Sequence, residues 1–334
     1  MDIDRYLADN ETNWVALAEL TRRARSRPSR LPEADLEPLL ELYLRTSADL
    51  SFARTHQPEP LLLDRLNRLV AGSRPLMEGR RAPSLSTCWR FFSVSFPTAV
   101  WHLRRFVVLS ALLTFLPAVA VGLWISHSPA ALEAAVPAPL RESFVEREFE
   151  EYYSEKPASQ FGIEVTLNNI KVSILAFAGG MLAGLGTVAI LVFNGANLGF
   201  AAGVFAAADQ QGRFYGLILP HGMLELTAIV LAGAAGLSLG WSMVAPGDRS
   251  RRAAVSAAAG RSLTVIAGLM AAFVVAGLIE AFVTGSTLTT AMRVGLGGSV
   301  ELSFVGYLYL CGRRGAAAGA TSAGWSSDLA SWRD

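Results

Sequence analysis

His221 and Glu225 are the two residues whose types and spacing in this sequence could do chemistry. They lie four residues apart in the apolar run 214–244, so on an α-helix their side chains lie one turn apart on one face. A histidine and a carboxylate inside a segment long enough to cross a bilayer are costly unless they face protein or water, which makes them a candidate functional site. A polar cavity, a proton path or a simple His–Glu pair would each explain them.

Two more carboxylates, Glu280 and Glu301, lie in later apolar runs. When depth is counted at about 1.5 Å per residue from the outer helix ends, all of these ionisable residues fall in the outer half of the bilayer. We therefore expect them to converge between neighbouring helices, whereas the alternative is a set of interhelical hydrogen bonds that only pin the helices together. The predicted polar intramembrane site consists of His221, Glu225, Glu280, Glu301, Asn194 and Asn197.

The composition indicates the class of protein that holds this site. Of 334 residues, 52% are hydrophobic and only 17% are charged, and the mean hydropathy is +0.37. This profile predicts an all-α polytopic membrane protein with a soluble extension, and the net charge of +1 gives no reason to expect a nucleic-acid partner. Cys88 and Cys311 lack metal-ligand spacing, so we expect no disulfide framework, no metal and no cofactor.

Long uncharged runs predict six transmembrane helices, which fill a domain at residues 106–312. Residues 172–208 form an uncharged run of 37 residues, too long for one crossing, and Asn194-Gly195 offers a turn between two short helices. One crossing followed by a re-entrant segment is the alternative there. The predicted helices are 106–126, the two halves of 172–208 on either side of that turn, 214–244, 263–283 and 294–310.

The distribution of charge predicts the orientation. The segment 127–169 holds eight acids and three bases, so the positive-inside rule places this loop outside the cell. The segment 245–262 carries four arginines against Asp248 and is expected inside. Both termini, including a disordered tail at 313–334, are therefore predicted to lie in the cytoplasm of a bacterial cell, with the protein in the cytoplasmic membrane.

The first third of the chain lacks the long uncharged runs of the rest. The sequence predicts a cytoplasmic helical region at residues 1–88. The arginines between positions 22 and 30 are expected either to be solvated or to contact anionic lipid. Residues 89–105 mix aromatic side chains with arginines directly before the first long apolar run. This pattern favours an interfacial amphipathic helix, and a buried soluble helix is the alternative.

Glycines at four-residue intervals predict close helix packing. Small residues at this spacing let helix backbones approach in lipid, where no hydrophobic drive assists their association. We expect packing within one molecule, and a dimer interface in a homo-oligomer is the alternative. The predicted packing residues are Gly180, Gly184, Gly195, Gly199 and Gly203.

Residues 236–240 (GLSLG) formally match the nucleophile elbow of hydrolases. That motif needs a sharp strand-to-helix turn, but here it lies within a predicted helix, several turns from His221. Ser238 and His221 therefore cannot meet along one helix. We expect no enzyme activity and assign no catalytic residue.

Several of these segments resemble the stage II sporulation protein M family. The segments are 89–92 (WRFF), 96–100 (FPTAV), 168–170 (NNI), 193–199 (FNGANLG), 220–226 (PHGMLEL) and 279–280 (IE). Tyr43, residues 48–50 (ADL) and residues 66–70 (LNRLV) resemble the longer, actinobacterial-style members. The resemblance covers about residues 10–310, and the segment with His221 and Glu225 is its most specific part.

The resemblance implies a polytopic protein of the cytoplasmic membrane. Founding members of the family join peptidoglycan-remodelling proteins during engulfment of the forespore. Longer members also occur in bacteria that do not sporulate, where they accompany MoxR-type ATPases and RDD-type membrane proteins. The resemblance supplies no settled catalytic residue.

Two functions from different classes follow. One is a membrane scaffold that recruits membrane or envelope proteins, such as a MoxR-type ATPase or an RDD-type membrane protein. The other is a permease or lipid-handling channel whose polar site holds His221 and Glu225. A cavity open to water or lipid would favour the channel, and a tightly packed interior would favour the scaffold.

Overall fold

The computed structural model describes residues 3–26, 33–56, 59–77, 85–142, 158–284 and 286–320. These residues form helices and connecting turns, with no strand among them, which confirms the predicted all-α class. The described residues divide into two compact units, one that ends at Ser86 and one that begins at Thr87.

The first unit contains helices α1 (Ile3–Ser26), α2 (Glu33–His56) and α3 (Pro60–Met77). Its core brings Trp14 of α1 against Leu50 of α2 and Leu66 of α3. The Trp14 indole is 1% exposed, and its N–H donates to Asp49 Oδ2 at 2.8 Å. A buried indole needs such an acceptor, so this bond fixes how α1 meets α2.

The second unit begins with short helices and continues with long apolar ones. The short elements are α4 (Leu85–Arg90), a π-helix (Phe91–Ser95), α5 (Phe96–His102), α7 (Pro129–Ala135) and α8 (Ala138–Glu142). The long ones are α6 (Arg104–His127), α9 (Ala158–Ala178), α10 (Leu185–Ala207), α11 (Gln211–Val244), α12 (Arg251–Ile279) and α13 (Thr290–Ala317).

Among the described residues, five helices are long and apolar enough to cross a membrane: α6, α10, α11, α12 with its π-helical end, and α13. Helix α9 is not one of them, and it carries Glu164 and Lys171. The count of six crossings is therefore not confirmed. Helix α11 is central, because 83% of its most apolar window is buried, against 17% for α6 and 11% for α13.

The turn predicted at Asn194-Gly195 is wrong, because both residues lie inside α10. The predicted short crossing at 196–208 is accordingly the second half of α10. The chain breaks earlier, at a 3₁₀ turn (Gly179–Met181) followed by Ala183 and Gly184 with φ of 53° and 88°. A left-handed conformation suits glycine, whereas Gly195 is needed in a helix for close packing.

That packing joins α10 to α6. A β-carbon on Gly195 would collide with the carbonyl oxygen of Thr114, and one on Gly199 with that of Ala118. Gly203 meets Gly122 in the same way, one turn further along. The glycines therefore let two helix backbones touch, which is how helices associate in lipid.

Gly180 and Gly184 do not lie in a helix as expected, but in the break between α9 and α10. A β-carbon on Gly180 would collide with the backbone of Gly236 in α11, and one on Gly240 with the backbone of Gly184. Gly180 and Gly184 thus lie against Gly236 and Gly240, a second pair of glycines four residues apart, on α11.

The segment predicted as an interfacial helix at 89–105 is buried on one side within the second unit. Phe96 is 1% exposed, and its ring lies against the backbone of Gly268 in α12. The Tyr307 hydroxyl of α13 donates to the Phe92 carbonyl in the π-helix. These apolar side chains pack against helices, whereas Trp89 is 76% exposed, and an interfacial position for the segment stays a prediction.

Two other boundaries differ from expectation. The loop predicted at 127–169 contains α7 and α8 and ends inside α9, while its acids at 146, 148, 150, 151 and 155 lie outside the described residues. The tail predicted from residue 313 is helical up to Ala317, and residues 321–334 lie outside the described part.

Candidate functional site

The side chains of His221 and Glu280 make a buried contact between α11 and the end of α12. His221 Nδ1 contacts Glu280 Oε2, and the two residues are 3% and 2% exposed. Thr284 Oγ1 lies 3.3 Å from the same imidazole nitrogen and is 1% exposed. The imidazole is therefore held by two side chains that come from one short segment.

That segment is the π-helix Glu280–Thr284, which follows Ile279 without a break. A π-turn bonds each residue to the fifth one along and is wider than an α-turn, so residues four apart lie more nearly in line. Glu280 and Thr284 can therefore both face His221. Such irregular turns occur frequently at functional sites.

Glu225, one turn along α11 from His221, is 2% exposed and is held from a third helix. Thr166 Oγ1 of α9 donates to Glu225 Oε1 at 3.2 Å, and Asn169 Nδ2 donates to Glu225 Oε2. A buried carboxylate needs such donors, because leaving it without them costs several kcal/mol. The structure thus brings three of the predicted residues to one region, each with its own partner.

Arg293 at the start of α13 extends the network from Thr284. Its Nη1 donates to the Thr284 carbonyl oxygen, and its Nη2 donates to Thr290 Oγ1 at 3.3 Å. This contact holds the end of the π-helix to α13.

Glu301 does not join this network. Its Oε1 accepts from Thr227 Oγ1 at 2.6 Å, and its Oε2 is buried with no hydrogen-bond partner among the described residues. Thr227 is two residues after Glu225, which is about 200° around an α-helix. Glu301 therefore contacts a different face of α11.

Asn194 and Asn197 also lie apart from the pair. Both are on α10, where Asn197 is exposed and Asn194 is half-buried. The hydrogen bonds described for His221, Glu225 and Glu280 involve neither amide.

Sequence reasoning missed the partners of Glu225, because Thr166 and Asn169 were assigned to an outer loop. Asn168-Asn169 had been noted only as part of the family resemblance. Thr284 and Arg293 gave no signal of their own, since a threonine in an apolar run and an arginine near a helix end are common. In the described part of the chain, no group of three His, Cys, Asp or Glu side chains could hold a metal ion.

The arrangement does two things chemically. It sets a buried imidazole against a buried carboxylate, and it ties α9, α11 and α12 together through side-chain contacts. Residues 111–285, which contain this network except for Arg293 and Thr290, match the family model described as stage II sporulation protein M.

The chain belongs to the stage II sporulation protein M family. The matched segment excludes the first unit, where residues 4–77 match a separate domain of unknown function, DUF8413. Family membership and the five apolar helices together indicate a multi-pass membrane protein.

An uncharacterised protein of Methanocaldococcus jannaschii is 35% identical over 85 residues, which are 25% of this chain and 48% of that protein. The chain thus spans about half the length of this curated relative. No solved structure matches the chain.

Proposed function

We propose that this protein is a membrane scaffold that holds partners in an envelope-remodelling complex. The observation that carries the proposal is the closed polar network, in which His221, Glu225 and Glu280 are 2–3% exposed and contact side chains of other helices. Buried polar pairs of this kind fix the register of helices against one another. A protein that positions partners needs such a rigid frame.

The proposed partners are membrane or envelope proteins. The resemblance to the longer members of the family suggests a MoxR-type ATPase or an RDD-type membrane protein. In the proposed topology both termini are cytoplasmic, so the first unit meets cytoplasmic partners. That unit exposes apolar side chains suited to contact, including Leu61 at 78% and Leu44 at 58% exposure.

Site-specific photo-cross-linking in cells tests the scaffold. A photoreactive amino acid in place of Leu61 or Leu44 should give covalent adducts with one of the proposed partners. The same amino acid in place of Ser51, an exposed residue on α2, is the matched control for non-specific capture. Adducts with lipid or with bulk membrane proteins alone, equal at all three positions, would contradict the proposal.

A permease or lipid channel is the second candidate, because one observation favours it. The π-helix Glu280–Thr284 ends α12 at the buried pair, and a segment with irregular backbone at membrane depth is typical of helices that move or conduct. In this case the His221–Glu280 pair would exchange a proton as a polar pathway opens. A proton flux that depends on Glu280 would support this second function.

A further inference from the structure

Basic side chains from separate segments meet at one end of the second unit. His102 ends α5, Arg104 begins α6, and Arg261 lies on α12. The ring of Phe96 in α5 lies against Gly268 in α12. His102 lies six residues after Phe96, and Arg261 lies seven residues before Gly268. Partial desolvation and the charges of Arg261 and Arg104 lower the pKa of His102.

Arg249 adds a further positive charge close to Arg261. It lies in the connection between α11 and α12 and is exposed, whereas Arg261 is half-buried. Like charges gathered in this way repel one another, and a bound anion would relieve that repulsion. We call His102, Arg104, Arg249 and Arg261 the basic cluster.

No carboxylate within the described ranges forms an ion pair with the arginines of the basic cluster. Arginines elsewhere do have such partners, as Arg45 pairs with Glu41 and Arg68 with Asp64, each one helical turn away. Arg104 instead donates from Nη1 to the Trp101 carbonyl oxygen at 3.2 Å and lies 5.4 Å from the centre of the Trp101 ring. Its other donors remain available to a ligand.

The surroundings indicate which anion fits. Arg104 is followed at four-residue intervals along α6 by Val108, Leu112 and Leu116, which are 61%, 48% and 63% exposed. Side chains four apart share one helix face, so an exposed apolar strip begins at the cluster and runs along a helix long enough to span a membrane. A ligand that places phosphate at the arginines and an alkyl chain on this strip would satisfy both.

We propose that the basic cluster binds the headgroup of an anionic phospholipid, whose acyl chain lies along the exposed face of α6. Arginines and an aromatic ring at the end of membrane-spanning helices are typical of headgroup depth. Basic pockets between such helices bind anionic lipid headgroups. This site does not depend on the scaffold function, so either proposal can fail without the other.

Binding of a fluorescent phosphatidylglycerol to the full chain in detergent micelles tests the site. Each arginine near an anionic headgroup contributes roughly a fivefold gain in affinity, so Arg249→Gln/Arg261→Gln should weaken binding about thirtyfold. The control Arg45→Gln/Arg68→Gln removes the same charge from paired arginines and should leave the affinity within about twofold of wild type. Added salt should weaken binding to the wild type more than to the cluster variant.

Two further measurements identify the ligand, and a single substitution controls for misfolding of the double variant. A fluorescent phosphatidylcholine should bind more weakly and equally to all variants, and millimolar inorganic phosphate should not displace phosphatidylglycerol. The single change Arg249→Gln, in an exposed connection, should weaken binding about fivefold even if the double variant does not fold. Unchanged binding in Arg249→Gln, an equal loss in the paired control, or full displacement by phosphate would each overturn the lipid site.

Discussion

The imidazole of His221 and the carboxylate of Glu280 contact each other with only 4% and 2% of their side chains exposed. They come from α11 and from the π-helix that ends α12, so a shift of either helix by one turn would separate them. Each polar group would then lie in an apolar interior without its partner, which is strongly destabilising. The pair therefore fixes the register of α11 against α12.

Glu280→Gln should destabilise the protein by roughly 1–3 kcal/mol, because it removes the carboxylate that contacts the buried His221 imidazole. Unfolding of the purified full chain in mixed detergent micelles measures this change. The control is Glu133→Gln, which breaks an exposed contact with Arg141 and should cost less than about 1 kcal/mol. Equal losses in the two variants would mean that the buried pair does not hold the helices.

Gly199→Ala should also destabilise, because the added β-carbon collides with the Ala118 carbonyl oxygen where α10 touches α6. Overpacking of this kind costs about 1–3 kcal/mol. Gly306→Ala on α13 is the matched control, since nothing lies within 4 Å of its β-carbon position, and alanine is the better helix former by up to about 1 kcal/mol. The same unfolding measurement should therefore move in opposite directions for the two variants, and a loss at both positions would contradict the proposed contact.

His102 should make the stability of the protein depend on pH. Its pKa is lowered by partial desolvation and by Arg261 and Arg104, so the folded state binds this proton less readily than the unfolded chain. The contribution of His102 is therefore fully present above about pH 6.5 and is lost as the pH falls from there toward the lower folded value. Between about pH 7.5 and about pH 5.5, the Tm of wild type should fall further than that of His102→Gln.

The control for the pH experiment is His127→Gln, because His127 is an exposed histidine at the opposite end of α6. It should follow the wild-type curve. If His102→Gln lost as much stability on acidification as wild type, the cluster of positive charge around His102 would have no energetic effect.

The predicted orientation can be read by thiol labelling. In a variant with Cys88→Ser and Cys311→Ser, a membrane-impermeant maleimide should label Ser143→Cys in intact cells but not Asp248→Cys. Both should react after the membrane is permeabilised, which controls for buried thiols. Labelling of Asp248→Cys in intact cells would reverse the positive-inside assignment.

The sequence predicted the helical class and the main apolar segments, because length and composition determine these directly. It misplaced the break in residues 172–208, because Asn-Gly is a strong turn signal that carries no information about packing. Gly195 is held in a helix by its contact with α6, and the left-handed Gly184 provides the break instead. Tertiary contacts overrode the local preference.

The candidate site was predictable only in part, for a similar reason. Helical spacing placed His221 and Glu225 on one face, and shared depth brought Glu280 to them. The donors Thr166 and Asn169 come from α9, whose sequence with Glu164 and Lys171 is not apolar enough to indicate a helix at membrane depth. Glu301 had matching depth but faces Thr227, because depth does not determine on which side of a helix two residues meet.

Proton flux into liposomes tests the scaffold account most directly. The full chain is reconstituted with a pH-sensitive dye inside, and an imposed pH gradient is followed with wild type, with Glu225→Gln and with Glu280→Gln. A closed network that only fixes helices predicts the same flux for all three, equal to that of liposomes without protein. A flux above that level in wild type that is lost in Glu225→Gln or Glu280→Gln would contradict the scaffold account and show that the buried network conducts protons.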